Sequence, residues 1–180
     1  SDVCSSDLIP AGSPHVELLE RMSANIDKMS GGRFKVEILP DGAIVKAFEV
    51  GDAVQRGILD AGQWCTHYAI GKSPAAGLFS APLGGSATGL DQTGMLVWHL
   101  RGGGHALHKE LYQKVIGWDV EPFVFIPVGP EAFGWFKKPV TSMAEYKKLR
   151  MRMSSGLPTD VLKEMGGTPV SVPGSEIIPA

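Results

Sequence analysis

The sequence contains few cysteines, no surplus of charge and no long apolar run, and each absence excludes a class of protein. Two cysteines among 180 residues cannot form a disulfide framework or a structural zinc site. Basic residues number 17 and acidic residues 19, so the basic surplus of a nucleic-acid-binding protein is missing and we expect no nucleic-acid partner. No stretch approaches the roughly 18 consecutive apolar residues of a membrane-spanning helix.

The residues that are abundant indicate a folded protein with many turns. Hydrophobic residues make up 43% of the chain, which is typical of a globular protein with a core. The 23 glycines and 13 prolines favour short elements joined by turns over a helical bundle. The length predicts one domain, or one domain and part of another.

Both ends of the sequence have unusual features. Residues 1–8 are polar, lack periodicity and resemble the translation of a sequencing adapter, so we interpret them as a non-native segment, with a native tail as the alternative. If they are non-native, Cys4 does not belong to the protein and Cys65 remains. Residues 173–180 begin like a helix and stop within its first turns. We therefore expect a truncated sequence, in which the lack of a signal peptide says nothing about location.

Hydrophobic periodicity predicts alternating helices and strands. Ser13 and Pro14 are typical of a helix N-cap and first position, and Gly31 and Gly32 would end that helix. The order of elements favours an α/β fold. The predicted helices span 14–30, 50–61, 90–100, 104–115, 142–148 and 157–165, and the predicted strands span 34–38, 63–68, 123–128, 133–136, 151–153 and 168–172.

The region around 101–115 combines a glycine run with an apolar pattern. Leu107, Leu111 and Val115 are expected to form the buried face of the helix over 104–115. Three consecutive glycines precede that helix and could expose backbone N–H groups to an anion. We interpret them instead as a turn between two helices.

Two charged residues occupy positions that call for a partner. Arg152 stands between Met151 and Met153 in a predicted strand, and a buried guanidinium requires an anion because it cannot lose its proton. A ligand carboxylate and a structural Asp or Glu satisfy this requirement equally well. Glu131 follows the apolar strand over 123–128, where α/β folds place ligands, and is either a ligand or metal contact or a solvated turn residue.

The histidines and the second cysteine suggest other chemistry more weakly. His99, His105 and His108 could bind a metal, but their spacing gives no complete ligand set, and we predict surface histidines. Cys65 and His67 would share one face of the strand predicted over 63–68. They are therefore either a nucleophile and its base or a small buried cysteine beside an unrelated histidine.

Several short blocks, taken in their order and spacing, resemble the substrate-binding subunits of TRAP transporters over about residues 9–180. The DctP-like dicarboxylate, 2-oxo-acid and mannitol/chloroaromatic types share these blocks. The blocks are Gly71-Lys72-x-Pro74-Ala75 with Leu78-Phe79 and Pro82-Leu83-Gly84, then Gly102-Gly103-Gly104, Glu110-Leu111-Tyr112, Gly134-Trp135-Phe136-Lys137-Lys138-Pro139, Leu149-x-Met151-Arg152 and Pro173-Gly174-x-Glu176-Ile177.

The resemblance implies an α/β fold of the type II periplasmic-binding-protein class, with two lobes that close on a ligand. Residues 9–122 would form the first lobe without its first strand, 123–128 the crossing strand, and 129–180 the start of an incomplete second lobe. The protein would be periplasmic, would capture a small organic acid and would deliver it to the TRAP membrane permease subunits. A homodimer is possible in the full-length protein, and no enzymatic activity is expected.

The resemblance also implies a binding site. The carboxylate-clamping arginine of the family falls on Arg152, and a first-lobe tyrosine falls on Tyr68. Glu131 takes a position where 2-oxo-acid-type members carry a polar residue, and its carboxylate suits a sodium or calcium ion bridging to the substrate. His67 departs from the family, many members of which have an aromatic residue there. These features favour a monocarboxylate such as a 2-oxo acid, with no cofactor required.

Two alternatives remain open at this stage. The first is an α/β hydrolase-type enzyme that uses Cys65 and His67. The second is a ligand-sensing module of the same fold, which genes for two permease subunits beside this one would disfavour.

Overall fold

The computed structural model describes residues 2–6, 14–40, 42–79, 90–125, 134–153 and 156–172. The described residues up to Cys65 form one compact unit, and the described residues of Thr66–Val172 form a second. Helices and strands alternate along much of the chain, as the sequence predicts. The lobe boundaries expected from the sequence stay a prediction.

The first unit contains a three-stranded parallel sheet with the strand order β2-β1-β3. Helix α1 connects β1 to β2, which is the connection that parallel neighbours require. Its elements are β1 (Asp2–Ser6), α1 (Pro14–Ser30), β2 (Val36–Leu39), a 3₁₀ turn (Ala47–Glu49), α2 (Val50–Gln55) and β3 (Ala61–Gln63).

Strand β1 is a difference from the sequence analysis, which assigns no strand to residues 2–6 and expects the first strand to be missing. In the structure Asp2–Ser6 fills the middle of the sheet and pairs with both neighbours. Parallel ladders join main-chain groups, so a polar segment without periodicity can still form one. The interpretation of residues 1–8 as non-native stays a prediction, which resequencing of the gene tests.

Helix α1 confirms its predicted limits, because Gly31 and Gly32 adopt left-handed φ values of 63° and 79° and end it. Helix α2 is shorter than predicted. The chain turns at Gly57, where φ is 68°, so Ile58 points outward while Leu59 enters the core with Val50. The sequence pattern assigned Ile58 to the buried face, which is wrong.

The second unit contains a two-stranded parallel sheet, with Arg152 of one strand opposite Val170 of the other. The helix between these strands buries Leu162 completely. Its elements are two 3₁₀ turns (Thr66–Gly71 and Pro74–Phe79), α3 (Gln92–Arg101), α4 (Gly104–Glu110) continuing as a π-helix (Leu111–Ile116), α5 (Met143–Tyr146), β4 (Arg150–Arg152), α6 (Leu157–Glu164) and β5 (Thr168–Val170).

Three predicted strands differ from the structure. The strand predicted over 63–68 begins two residues earlier and ends at Gln63, and Thr66–Gly71 is a 3₁₀ turn instead. Residues 123–125 and 134–136 are not in strands, and Phe123 is mostly exposed, so the apolar composition there does not reflect burial. The remaining positions of the predicted crossing strand lie outside the described residues.

The turn between α3 and α4 needs its glycines. A Cβ on Gly104 would lie 2.7 Å from the Trp98 ring and 3.0 Å from the His99 Cα, and Gly103 has a φ of 85°. The three glycines therefore allow two helices to approach closely. This agrees with the predicted inter-helix turn.

We expect Gly104→Ala to lower the free energy of unfolding by about 1–3 kcal/mol, because the new methyl group must displace Trp98 or the α3 backbone. Urea-induced unfolding measures the change. Gly71→Ala is the matched control, since nothing lies within 4 Å of its Cβ position. Equal stability of the two variants would contradict the close approach.

Candidate functional site

Arg152 ends strand β4 and is half-buried. Its Nε donates a hydrogen bond to the main-chain oxygen of Val172, at 3.1 Å, just beyond strand β5. No carboxylate pairs with Arg152 among the described residues. The carboxyl ends of parallel strands are where α/β folds bind ligands, so the rest of this guanidinium is placed where an anion can reach it.

The 3₁₀ turn Thr66–Gly71 carries the predicted tyrosine and its unusual neighbour. The rings of His67 and Tyr68 meet edge to face with centroids 4.7 Å apart, and both side chains are half-buried. A Cβ on Gly156 would lie 2.9 Å from the Ile70 Cδ1, so this turn lies against Gly156, four residues after Arg152. Two segments that the resemblance implicates are therefore neighbours within one unit.

The charge of Arg152 also affects the protonation of His67. Burial and the positive charge of Arg152 lower the pKa of His67 to about 4, so its imidazole is neutral at pH 7. Because His67 lies on a 3₁₀ turn, the strand spacing that placed it on one face with Cys65 does not apply. Glu131, the predicted metal contact, lies outside the described residues.

A buried hydrogen-bonded chain of four side chains anchors the same turn. Thr66 Oγ1 lies 2.9 Å from His108 Nε2 and 2.9 Å from the Tyr112 hydroxyl, and His108 Nδ1 lies 3.2 Å from His99 Nε2. Only 4% of His99 and 7% of His108 is exposed. The prediction of surface histidines is therefore wrong for these two, because both ring nitrogens of His108 and the Nε2 of His99 form hydrogen bonds inside the protein.

The buried face of α4 was recoverable from the sequence. Gly104, His108, Leu111 and Tyr112 are buried, at the helical spacing i, i+4, i+7 and i+8. Leu107 and Val115, which the apolar pattern placed in the core, are exposed by half or more. Reading histidine and tyrosine as possible core residues at that spacing would have identified the correct face.

The histidines are poor bases in this environment. Burial, with smaller effects from His99 and His105, lowers the pKa of His108 to about 4. Burial followed by the effect of His105 also lowers the pKa of His99. Phe79 stacks on the His108 ring at a centroid distance of 4.7 Å. The four hydrogen-bonded side chains are thus an uncharged structural network.

Within the described residues, no three His, Cys, Asp or Glu side chains are grouped so as to hold a metal ion. His105 instead lies 3.1 Å from Glu121, which also pairs with Lys109 at 2.6 Å.

Residues 5–180 match the model of the family described as bacterial extracellular solute-binding protein, family 7, also called DctP. The chain belongs to this family. Family 7 proteins are binding proteins, which supports the non-enzymatic interpretation over the hydrolase alternative. In the described part of the chain, no helix has the length and apolar character needed to cross a bilayer.

A curated family 7 relative is the monocarboxylate 2-oxoacid-binding periplasmic protein of Nostoc sp. PCC 7120. It is 34% identical over 159 residues, which cover 88% of this chain and 41% of that protein. The chain therefore spans less than half the length of this relative.

Solved TRAP solute-binding proteins share the fold, the type II periplasmic-binding-protein class expected from the sequence. The Bordetella bronchiseptica protein, a dimer with copurified calcium and picolinate, has a TM-score of 0.86 and 26% identity over 99% of this chain and 51% of its own. The Pseudoalteromonas atlantica protein, with bound sodium and pyruvate, has a TM-score of 0.79 and 23% identity over 100% of this chain and 53% of its own.

Proposed function

We propose that this chain is part of a periplasmic TRAP solute-binding protein that captures a monocarboxylate such as a 2-oxo acid, with Arg152 binding the carboxylate. The observation that carries the proposal is a half-buried guanidinium whose Nε is bonded to Val172 and which pairs with no carboxylate in the described residues. The Nostoc relative, named for 2-oxoacid binding, supports the ligand class.

The charge balance at Arg152 favours an anionic ligand over a purely structural role. A guanidinium withdrawn from water needs a hydrogen-bonded anion, and a carboxylate can accept two parallel N–H bonds from it. Since Nε is engaged with a main-chain oxygen, the terminal nitrogens are the donors that would receive the ligand. Tyr68, on the neighbouring turn, would contact the ligand from the side of the 3₁₀ segment.

Glu131 would contribute one oxygen ligand to a sodium or calcium ion that bridges to the acid. Hard cations prefer carboxylate and carbonyl oxygens, which fits both Glu131 and a 2-oxo acid. An acidic side chain beside a carboxylate ligand would otherwise repel it. The relatives with calcium and picolinate, and with sodium and pyruvate, support such a bridge.

The partners follow from the same proposal. The ligand-loaded protein would deliver its acid to TRAP membrane permease subunits. A homodimer is proposed for the complete protein, on the model of the dimeric Bordetella relative.

Calorimetry on the product of the complete gene tests the function. We expect pyruvate to bind at least tenfold more tightly than malonate, and a chelator to weaken pyruvate binding at least tenfold until calcium is restored. Glu131→Gln should bind weakly with or without chelator. Glu110→Gln, which alters an exposed ion pair with Lys114, is the control and should behave like the parent. Absence of binding to any small acid would refute the function, and chelator-insensitive binding would refute the metal bridge.

A further inference from the structure

Resting on the proposed function, we propose that His67 is a specificity-determining residue. Its uncharged imidazole hydrogen-bonds the oxygen next to the carboxylate that Arg152 holds, either a 2-oxo or a 2-hydroxy group. The site would thereby select monocarboxylates with a polar group at the second carbon.

The first step is position. His67 lies on the 3₁₀ turn Thr66–Gly71. Ile70 of the same turn lies against Gly156, which is four residues after Arg152 in the sequence. Thr66, the preceding residue, is fixed by hydrogen bonds to His108 and Tyr112 in the buried chain. Tyr68 contacts the His67 ring edge to face. The imidazole is thus held between an anchored residue and an aromatic ring rather than on a free loop.

The second step is charge. The positive charge of Arg152 contributes, after burial, to the lowered pKa of His67, and this supports the position argued above, beside the strand that Arg152 ends. Lys72, another cation near this turn in sequence, lies over the Trp118 ring at 5.3 Å. Arg152 is thus the side chain that suits a ligand carboxylate, and the neutral imidazole of His67 suits an uncharged polar group beside it. A second ligand carboxylate would face a group that cannot neutralise it.

The third step is hydrogen-bonding capacity. A neutral imidazole offers one N–H donor and one nitrogen acceptor, so it can serve a carbonyl or a hydroxyl oxygen. A phenylalanine fills the same space without either group. A glutamine lacks the ring but keeps a donor and an acceptor.

The experiment measures a ratio of affinities in the complete gene product, using pyruvate and propionate as ligands. Propionate has the carboxylate without the 2-oxo group. We expect the parent to prefer pyruvate, His67→Phe to lose at least about tenfold of that preference through weaker pyruvate binding, and His67→Gln to keep most of it. His105→Gln, at the half-exposed histidine paired with Glu121, is the matched control and should keep the full preference.

A second readout does not depend on any variant folding. Binding an anion at Arg152 offsets the guanidinium charge, so the imidazole resonance of His67 should titrate at a higher pH with pyruvate than without it. An unchanged preference in His67→Phe, or a His67 titration unmoved by pyruvate, would overturn this inference while parental binding leaves the proposed function standing. A parent that binds neither acid would instead remove the proposed function.

Discussion

Replacing Arg152 with alanine is expected to weaken 2-oxo-acid binding at least about 100-fold, equivalent to about 2.8 kcal/mol, in the complete protein. The variant loses both donors to the carboxylate and the charge that balances it, and truncating one side of such a pair commonly costs about 2–5 kcal/mol. Calorimetry with pyruvate measures the loss. Arg152→Lys should recover part of the affinity, because an ammonium restores the charge without the planar pair of donors.

Arg150→Ala is the control for this experiment. Arg150 is an exposed arginine on the same strand, two residues away, so its loss changes net charge equally but removes no buried donor. We expect its affinity to stay within about twofold of the parent. Thermal unfolding of both variants separates binding from stability, since Arg152→Ala also loses the bond to Val172. If Arg152→Ala binds pyruvate as tightly as Arg150→Ala does, the clamp assignment is wrong.

The second large expected effect is a loss of folding stability at acidic pH. The pKa of His108 is about 4 in the folded protein, against 6.5 for an exposed histidine. Between these two values the unfolded chain binds more protons, so stability is fully present above about pH 6.5 and falls as the pH decreases towards 4. His108 alone accounts for about 3 kcal/mol of this loss. The lowered pKa values of His67 and His99 act in the same direction.

His108→Phe isolates this contribution. The variant keeps an aromatic ring against Phe79 but cannot take up a proton, so its unfolding free energy should fall less between pH 6.5 and 4 than that of the parent. At pH 7 it should be less stable by about 1–3 kcal/mol, because His99 and Thr66 lose a partner. His105→Gln should keep most of the parental pH dependence, because His105 has a smaller effect than burial on the pKa of His108. If the unfolding free energy of His108→Phe falls with pH as steeply as that of the parent, His108 is not the proton acceptor.

The elements that the sequence predicted correctly are those whose signals are local. Helix α1 ends at paired glycines, α5 begins at the capping box of Ser142 and Glu145, and the β4-α6-β5 unit has clear strand and helix patterns. The 3₁₀ turn Thr66–Gly71 was missed because it depends on Thr66 reaching residues 42 and 46 positions away in the chain. No periodicity in the sequence reports such a contact.

The candidate site likewise has one feature that the sequence could indicate and one that it could not. The half-buried position of Arg152 was predictable, because a charge between two methionines in a strand pattern is a local anomaly, whereas its role in binding stays a proposal. The neutral state of His67 was not identifiable, since it depends on burial and on a charge from a distant strand. The misassigned face of α4 has a further cause. The segment Leu111–Ile116 is a π-helix, which has more residues per turn than an α-helix. Val115 therefore does not return to the buried face and is exposed.

The bond from Arg152 to Val172 bears on the entropy of ligand capture. An arginine side chain that is free in solution gives up roughly 2 kcal/mol of rotamer freedom when it is fixed. Because Nε is already attached to the chain after β5, part of that loss occurs on folding and is absent from the binding step. The acceptor is a main-chain oxygen, so substitution of the Val172 side chain leaves it in place. Substitutions at position 172 are therefore expected to leave the orientation of the guanidinium unchanged.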